Sequence, residues 1–270
     1  MPGVAVCGAM GRMGRAILAV LKEGSHGFSL SAAVEAKGHP MLGRDAFEAA
    51  GAGGGGGVPV TDDFGTAIAG ADVAIDFTGA DSSAGHAAAA AAAGKPIVIG
   101  STGLGPSHMD RIRGAARSVA IVQSPNMSVG VNLMFRVASD VARILGDEYD
   151  VEIVETHHRF KKDAPSGTAV RLADTVASAL GRKMEDSGVY GRRGMTGERT
   201  RKEIGVFALR AGDVVGEHTL VFGGIGERFE ITHRAHSRDT FARGAVRAAS
   251  WILGRPPGLY DMADVLGIGK

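Results

Sequence analysis

One stretch of the sequence, ETHHRFKKDAPSGTA at residues 155–169, combines residue types that can do acid–base chemistry. Two adjacent histidines, His157 and His158, are followed by Lys161 and Lys162 and then by a Ser-Gly-Thr turn. Such residues suit three kinds of site: a metal centre, a phosphate cradle, or an acid–base site that binds a carboxylate substrate.

Metal binding and nucleophilic catalysis are both disfavoured by the residues present. Adjacent histidines on an extended segment point to opposite faces, and the lysines beside them would repel a cation, so we expect no metal. The single cysteine, Cys7, lies in an apolar run and does not resemble a catalytic thiol. No tyrosine is followed four residues later by lysine, which excludes the Tyr-x-x-x-Lys pair of short-chain dehydrogenases.

An anion-binding site with an acid–base residue remains. Lys161 carries positive charge, and Ser166, Gly167 and Thr168 offer hydroxyl and backbone N–H groups at a predicted helix start, where the helix dipole favours an anion. A histidine beside them titrates near neutral pH and can donate a proton. We interpret the group as an acid–base site that holds a carboxylate. The alternative is that His157 is a buried structural histidine and the lysines are solvated.

The sequence before this stretch alternates between predicted strands and helices. The predicted elements, in chain order and beginning with a strand, cover residues 4–7, 11–23, 28–34, 72–77, 81–93, 96–99, 109–117 and 119–122. Such alternation favours an α/β fold of the Rossmann type, a doubly wound parallel sheet with helices on both faces. Ligands bind such sheets outside the carboxyl ends of the strands.

The first predicted strand ends in GAMGRMG, in which Gly8, Gly11 and Gly14 form a variant of the dinucleotide-binding turn. Glycine permits the tight turn, the approach of backbone to a pyrophosphate and the close packing of helix on strand. Glu35 ends the second predicted strand about 20 residues later, where an acid accepts hydrogen bonds from the adenosine ribose. Together these features predict a dinucleotide site.

Further cofactor contacts are expected beside this turn and where later strands end. Lys37 and Arg12 can pair with a 2′-phosphate, whereas Glu35 favours a free 2′-hydroxyl, so we expect NADH or NADPH as the cofactor. Small or hydroxyl-bearing residues follow two later strands; these candidates are Gly100, Ser101, Thr102, Ser124, Pro125, Asn126 and Met127. Asn126 either binds the carboxamide or caps the next helix, and ordinary turn chemistry is the alternative for both segments.

The second half of the chain has a different pattern. A helix is predicted over 129–145, with one apolar face formed by Val129, Leu133, Val137, Val141 and Ile144. The later elements are a strand, a helix capped by Ser166 or Asp163, three strands and a last helix, over 150–156, 166–180, 204–210, 217–222, 228–233 and 238–253. We infer a second, α+β domain with an open mixed sheet, inserted so that the last helix returns to the first domain.

Bulk composition excludes several classes of function. The net charge of +1 does not favour binding to nucleic acid or to a membrane surface. No apolar run reaches the about 18–20 residues of a membrane helix, and the first residues lack the pattern of a signal peptide. We expect a cytoplasmic protein.

The stretch at 155–169, read as E-x-H-H-x-x-K-x-D-x-P-S-G-T-A, resembles the signature of the dihydrodipicolinate reductase family, enzymes of lysine and diaminopimelate biosynthesis. The resemblance covers essentially the whole chain. It extends to GAMGRMG, DFT at 76–78, IGSTG at 99–103, NMSVGVN at 126–132, RAGDVVGEHT at 210–219 and GERFEITHRAHSR at 226–238.

The resemblance implies an organisation and an activity. It implies a dinucleotide-binding domain over 1–127 and 237–270, a substrate-binding and tetramerisation domain over 128–236, and a homotetramer. The implied reaction is the NADH- or NADPH-dependent reduction of 4-hydroxy-tetrahydrodipicolinate, a small dicarboxylate, with loss of water.

The resemblance also implies roles for single residues. His157 would be the acid–base residue and Lys161 its proton-donor partner, which also helps to bind substrate. His158, Gly167 and Thr168 would bind the substrate carboxylates. The implied cofactor contacts add Ala9, Met10 and Met13 to the candidates already named.

One departure and two rival interpretations accompany the resemblance. The family often has arginine directly after the ribose-binding glutamate, whereas this chain has Ala36 and then Lys37, so the preference between the two cofactors stays open. One rival is a reductase of another carboxylated imine. The other is a nucleotide sensor that would use only the glycine turn and Glu35.

Overall fold

The computed structural model describes residues 1–268, and the chain divides into two compact units. The first unit contains residues 1–129 and the segment that starts at Arg238, and the second contains residues 130–237. Apolar cores form within each unit. Among residues 1–268, every helix is too short or too polar to cross a membrane.

The elements follow one another along the chain in the alternating order that the sequence predicts. Those of the first segment are β1 (Gly3–Cys7), α1 (Arg12–Lys22), β2 (Ser29–Val34), α2 (Ala46–Ala50), β3 (Val60–Thr61), α3 (Phe64–Ala69), β4 (Val73–Asp76), α4 (Ala80–Ala92), β5 (Ile97–Ile99), α5 (Pro106–Ala115) and β6 (Ala120–Gln123). Those that follow, all in the second unit apart from the first residue of α6, are α6 (Val129–Leu145), a short 3-10 helix (Gly146–Glu148), β7 (Asp150–His157), α7 (Gly167–Ala179), α8 (Met184–Ser187), β8 (Gly188–Val189), β9 (Ile204–Arg210), β10 (Gly216–Gly223) and β11 (Arg228–Ala235). The chain ends in the first unit with α9 (Asp239–Ile252), β12 (Gly258–Tyr260) and α10 (Met262–Leu266).

The first unit is built on a seven-stranded sheet in the order β12-β6-β5-β4-β1-β2-β3, with every neighbouring pair parallel. Its central strands are apolar on both sides because helices cover both faces. Val4 and Val6 belong to a core with α1 and α9, whereas Ala5 and Cys7 belong to a second core on the opposite face. The predicted doubly wound parallel sheet is confirmed.

The second unit contains a five-stranded sheet in the order β11-β10-β7-β9-β8. β10 is antiparallel to both β7 and β11, whereas β7 and β8 run parallel to β9. The predicted open mixed sheet is confirmed. Its core is formed with α6 and α7, from residues such as Phe135, Ile153, Leu172 and Phe222.

The helix α6 has the predicted bounds, but the face predicted for it is wrong. Its buried apolar side chains are Val131, Met134, Phe135, Ala138 and Ala142. Of the residues predicted to face the core, Leu133 and Ile144 are 49% and 81% exposed. The helix is apolar over most of its circumference, so the choice between faces depends on which side fits closely against the sheet. The two alanines permit that approach.

Several short elements were not predicted, and the helix at 238–253 is not the last one. β12 and α10 follow it, and β12 extends the sheet of the first unit at one edge. Elements of two to six residues such as α2, β3 and α3 are too short to show a clear hydrophobic period.

Candidate functional site

One face of the five-stranded sheet changes from apolar to polar along its strands. The cross-strand neighbours Ile153 and Leu220 are buried and apolar, whereas the next pair on the same face, Glu155 and His218, is buried and polar. Because side chains alternate along a strand, His157 at the end of β7 shares this face. The polar end of the face therefore carries the residues predicted to do chemistry.

Glu155 is fully buried and is held by three partners. Its two oxygens accept N–H groups of Arg210 at 2.8 and 3.0 Å, and Oε1 also accepts the backbone N–H of Ser166 at 2.9 Å. Nδ1 of His157 lies 2.6 Å from Oε2. Burial acts to raise the pKa of Glu155, but Arg210, His157 and Ser166 outweigh it and hold the pKa below its ordinary value. The carboxylate is therefore ionised.

This carboxylate determines how His157 is presented. An ionised carboxylate has no proton to give, so Nδ1 carries the shared hydrogen and Nε2 is the nitrogen left for chemistry. A Cβ at Gly216 would lie 3.0 Å from Nε2, so glycine leaves room for the ring. Burial lowers the pKa of His157 below its ordinary value; Glu155 opposes this shift, and Lys161 and Arg210 reinforce it.

Ser166 begins α7 and links it to the sheet. Its hydroxyl oxygen accepts the backbone N–H of Ala169 at 3.1 Å, so of the two predicted caps the structure uses Ser166. Its Oγ also lies 3.0 Å from Nε2 of His218. Burial lowers the pKa of His218 to about 4, and the nearby His157 adds to the effect. His218 is therefore neutral and shares a hydrogen bond with the Ser166 hydroxyl.

The predicted carboxylate ligands lie around the start of α7. Gly167 is exposed and Thr168 half-buried in its first turn, which points backbone N–H groups outward. Lys161 forms an ion pair with Asp163, with Nζ–O distances of 2.8 and 2.9 Å, whereas Lys162 is exposed. Within residues 1–268, Nδ1 of His158 is buried and has no hydrogen-bond partner.

The glycine turn of the first unit fits a dinucleotide. Gly8 has a φ of 71°, in the left-handed region that favours glycine. A Cβ at Gly14 would lie 2.1 Å from the carbonyl oxygen of Gly8, so only glycine lets α1 pack this closely. Within the described part of the chain no side chain caps α1, which leaves its first N–H groups for an anion. Glu35 accepts the backbone N–H of Met10 at 2.9 Å.

Two cavities of the first unit contain most of the predicted cofactor residues. One, of about 440 Å³, is lined by Arg12, Met13, Gly100, Ser101, Thr102, Pro125, Asn126 and Met127, together with Phe77, Thr78 and Phe241. The other, of about 480 Å³, is lined by Gly8, Gly11, Glu35 and Lys37 and by residues not predicted, among them Phe64 and His86.

Three predicted cofactor residues, Ala9, Met10 and Ser124, are buried and line neither cavity. The hydroxyl of Ser124 donates to the carbonyl oxygen of Asn126 at 2.9 Å. The side-chain oxygen of Asn126 accepts the backbone N–H of Ser128, also at 2.9 Å. The side chains of Ser124 and Asn126 therefore stabilise the turn itself, which was the alternative interpretation of this segment.

Sequence reasoning assigned no role to several residues that organise these sites. Arg210 and His218 contact the motif from strands more than 50 residues away, so local spacing gives no signal for them. Asp76 at the end of β4 and His86 in α4 form a further contact, across the turn between these two elements. The sequence points to Asp76, Arg210 and His218 only through the family motifs DFT and RAGDVVGEHT, which contain them.

Comparisons with known proteins identify the family. The chain matches the models for the N-terminus of dihydrodipicolinate reductase over residues 3–127 and for its C-terminus over residues 130–266. It is 56% identical over 262 residues to a 4-hydroxy-tetrahydrodipicolinate reductase of Syntrophus aciditrophicus, covering 97% of each chain. It is also 56% identical over 268 residues to one of Anaeromyxobacter dehalogenans, covering 99% of this chain and 98% of the relative.

A solved structure shares the fold of the chain. The dipicolinate-bound dihydrodipicolinate reductase from Paenisporosarcina matches with a TM-score of 0.76 at 24% identity, covering 98% of each chain. The two family models together span both units, and the identity to the relatives extends over almost the full length. The chain therefore belongs to the dihydrodipicolinate reductase family.

Proposed function

We propose that the protein reduces 4-hydroxy-tetrahydrodipicolinate to tetrahydrodipicolinate, with NADH or NADPH as the reductant and loss of water, in lysine and diaminopimelate biosynthesis. The observation that carries the proposal is the presentation of His157, whose Nδ1 is held by the buried carboxylate of Glu155. Lys161 follows in the same segment, and α7 begins after it. Family membership supports the substrate and the reaction.

The reaction consumes one proton overall, because substrate, reduced cofactor and a proton give product, oxidised cofactor and water. Bound NADH or NADPH supplies the hydride. Hydride addition places negative charge on the conjugated system, and the protonated ring of His157 neutralises it through Nε2. Glu155 stabilises the imidazolium, and Lys161 supplies positive charge and a second proton donor.

Four residues of the second unit would bind the substrate carboxylates. The first N–H groups of α7, from Gly167 and Thr168, favour an anion through hydrogen bonds and the helix dipole. His158 would offer a ring nitrogen, and Lys161 would offer positive charge. Ser166 is already engaged with Ala169 and His218, so we assign it to positioning the helix start.

The first unit would bind the cofactor. The N–H groups at the start of α1 would bind the pyrophosphate, and Glu35 would bind the ribose next to the adenine. The cavity lined by Gly100, Ser101 and Thr102 would hold the nicotinamide end. We accordingly assign cofactor binding to the first unit and substrate binding to the second.

We further propose a cytoplasmic homotetramer that assembles through the second unit. The sheet face opposite His157 carries Val154, Val221 and Leu209, which are half-buried or exposed in the single chain, and association would cover them. Cys7 is the only cysteine and is buried, which accords with a reducing compartment. Sedimentation of the purified protein tests the assembly; a monomer at micromolar concentration would contradict it.

The activity is tested by supplying the product of dihydrodipicolinate synthase and following the loss of reduced-nicotinamide absorbance. We expect turnover with at least one of NADH and NADPH. Absence of turnover with both would contradict the proposed function. Dipicolinate, a planar dicarboxylate, should compete with the substrate and not with the cofactor; an inhibition pattern without competition would argue against the carboxylate site.

A further inference from the structure

Asp76 is a fully buried carboxylate whose two oxygens have different partners. Oδ1 accepts the backbone N–H and the hydroxyl of Thr78 at 3.0 and 2.8 Å, and the hydroxyl of Ser83 at 2.7 Å. Oδ2 is bound by Nδ1 of His86. Burial acts to raise the pKa of Asp76, but the hydrogen bonds from His86, Ser83 and Thr78 hold it below its ordinary value.

The ionised carboxylate fixes the hydrogen of the His86 ring. Because Asp76 has no proton to donate, Nδ1 of His86 must be the donor. In the neutral ring Nε2 is then an acceptor, and it is the nitrogen left for a ligand. His86 lines the cavity that contains Glu35 and Lys37, and its ring lies 4.2 Å from that of Phe64, centroid to centroid.

The cavity offers what an adenine base requires. Glu35 lies where the adenosine ribose would bind, and the rings of Phe64 and His86 give flat surfaces beside it. The 6-amino group of adenine is a hydrogen-bond donor, which suits an acceptor nitrogen. We propose that Nε2 of His86 accepts a hydrogen bond from the 6-amino group of the cofactor, and that Asp76 is the positioning residue that keeps His86 in the required tautomer. This inference rests on the proposed use of NADH or NADPH.

A metal site is a rival use of the same residues, because Cys7 lies with Asp76 and His86 in a group whose ligand atoms are within 4.8 Å of one another. Burial raises the pKa of the Cys7 thiol, and the carboxylates of Asp76 and Glu35 raise it further. Cys7 is also fully buried within an apolar core, a surrounding that disfavours a charged metal centre. Oδ1 of Asp76 is also occupied by Thr78 and Ser83. The arrangement therefore fits a hydrogen-bonded histidine better than a metal.

The test compares NADH with its reduced hypoxanthine analogue, in which a carbonyl oxygen replaces the 6-amino group. Dissociation constants of both are measured by nicotinamide fluorescence at about pH 8. We expect the unaltered protein to bind NADH about tenfold more tightly than the hypoxanthine analogue, because one net hydrogen bond is worth about that factor. His86→Phe keeps a ring beside Phe64 but lacks the acceptor, so it should bind both dinucleotides equally.

Asp76→Asn gives the sharper result. The backbone N–H of Thr78 can only donate, so the amide oxygen must occupy the Oδ1 position and the amide nitrogen must face His86. The amide then donates to Nδ1, the ring hydrogen moves to Nε2, and Nε2 becomes a donor. We expect this variant to prefer the hypoxanthine analogue, a reversal that loss of packing alone would not produce.

Each outcome bears on a separate part of the inference. Equal binding of both dinucleotides by the unaltered protein, or a retained preference in His86→Phe, would overturn the adenine contact. A folded Asp76→Asn protein with the original preference would overturn the tautomer role. His86→Phe keeps the inference testable if Asp76→Asn does not fold. Failure of the unaltered protein to bind either dinucleotide would contradict the cofactor assignment of the proposed function, and this inference with it.

Discussion

Nδ1 of His157 lies 2.6 Å from Oε2 of Glu155, a carboxylate that is fully buried and paired with Arg210. The pair has the form of a histidine held by an acid so that one ring nitrogen is directed to the reaction. Glu155 opposes the lowering of the His157 pKa that burial causes. It therefore both orients the proton donor and keeps it protonated to a higher pH.

Replacement of Glu155 by glutamine should separate these effects. The neutral amide no longer favours the imidazolium, so the pKa of His157 falls further. Because the reaction requires the protonated ring, kcat/KM declines as pH rises through that pKa, and in Glu155→Gln the decline should begin at lower pH. At neutral pH we expect kcat to fall about tenfold to a hundredfold, less than the about 10²–10⁴-fold that an acid–base residue contributes.

The control for Glu155→Gln is Glu152→Gln on the same strand. Glu152 lies on the other face of the sheet and pairs with Arg192 and Arg199. It should keep the original pH profile even if stability falls. The same midpoint of the pH profile in Glu155→Gln and in the unaltered protein would refute the assigned role.

The two neighbouring lysines provide a matched pair of variants. Lys161 is largely covered and bound to Asp163, whereas Lys162 is exposed. Lys161→Ala should lower kcat by about 10²–10⁴-fold while leaving the dissociation constant of NADH unchanged, because it removes a proton donor and not a cofactor contact. Lys162→Ala should leave both quantities unchanged. A near-normal rate in Lys161→Ala would reassign the proton donor.

Local patterns predicted most of the architecture but not the long-range contacts. The bounds of α6 and the candidate cap Ser166 follow from neighbouring residues, and the structure confirms both. The buried face of α6 depends on how the helix fits the sheet, which spacing does not encode. The contact of Glu155 with Arg210 joins residues 55 positions apart, and no local rule connects them. The tertiary fold determined these features.

Cofactor preference should respond to the residue after Glu35. Ala36 and Lys37 both line the cavity that contains Glu35. In Ala36→Arg, a guanidinium can bind a 2′-phosphate with two hydrogen bonds, so the dissociation constant of NADPH should fall about tenfold while that of NADH changes little. Lys37→Ala should weaken NADPH selectively. If both variants changed the dissociation constants of NADH and NADPH equally, the 2′-position of the cofactor would not lie beside Ala36 and Lys37.

Two glycines should respond oppositely to alanine. A Cβ at Gly14 would lie 2.1 Å from the carbonyl oxygen of Gly8, so Gly14→Ala must displace the turn, lower the melting temperature and weaken NADH binding. Gly85 lies within α4, and of the residues that the structure describes only Arg111 comes near its Cβ position, at 4.0 Å. Gly85→Ala should therefore stabilise the protein by about 0.5–1 kcal/mol. Thermal unfolding and NADH titration measure both; a Gly14→Ala variant with unchanged binding would exclude the proposed tight turn.

The buried His218 should make stability depend on pH below neutrality. Its pKa is about 4 in the folded chain because of burial first and the nearby His157 second, against about 6.5 in an unfolded chain. Between these values the unfolded chain binds a proton that the folded chain does not, so stability is fully present above about pH 6.5 and declines as pH falls toward 4. Over that window His218 accounts for roughly 3 kcal/mol.

His218→Gln retains a hydrogen-bonding group for Ser166 but cannot titrate, so the free energy of unfolding should decline less steeply between about pH 6.5 and 4. Some slope will remain, because burial also lowers the pKa of His157 and His233. The exposed His236 provides the control, and His236→Gln should keep the original slope. Urea unfolding across this range measures the difference. Parallel curves for His218→Gln and the unaltered protein would mean that His218 is protonated in the folded state, and its neutral contact with Ser166 would then have to be abandoned.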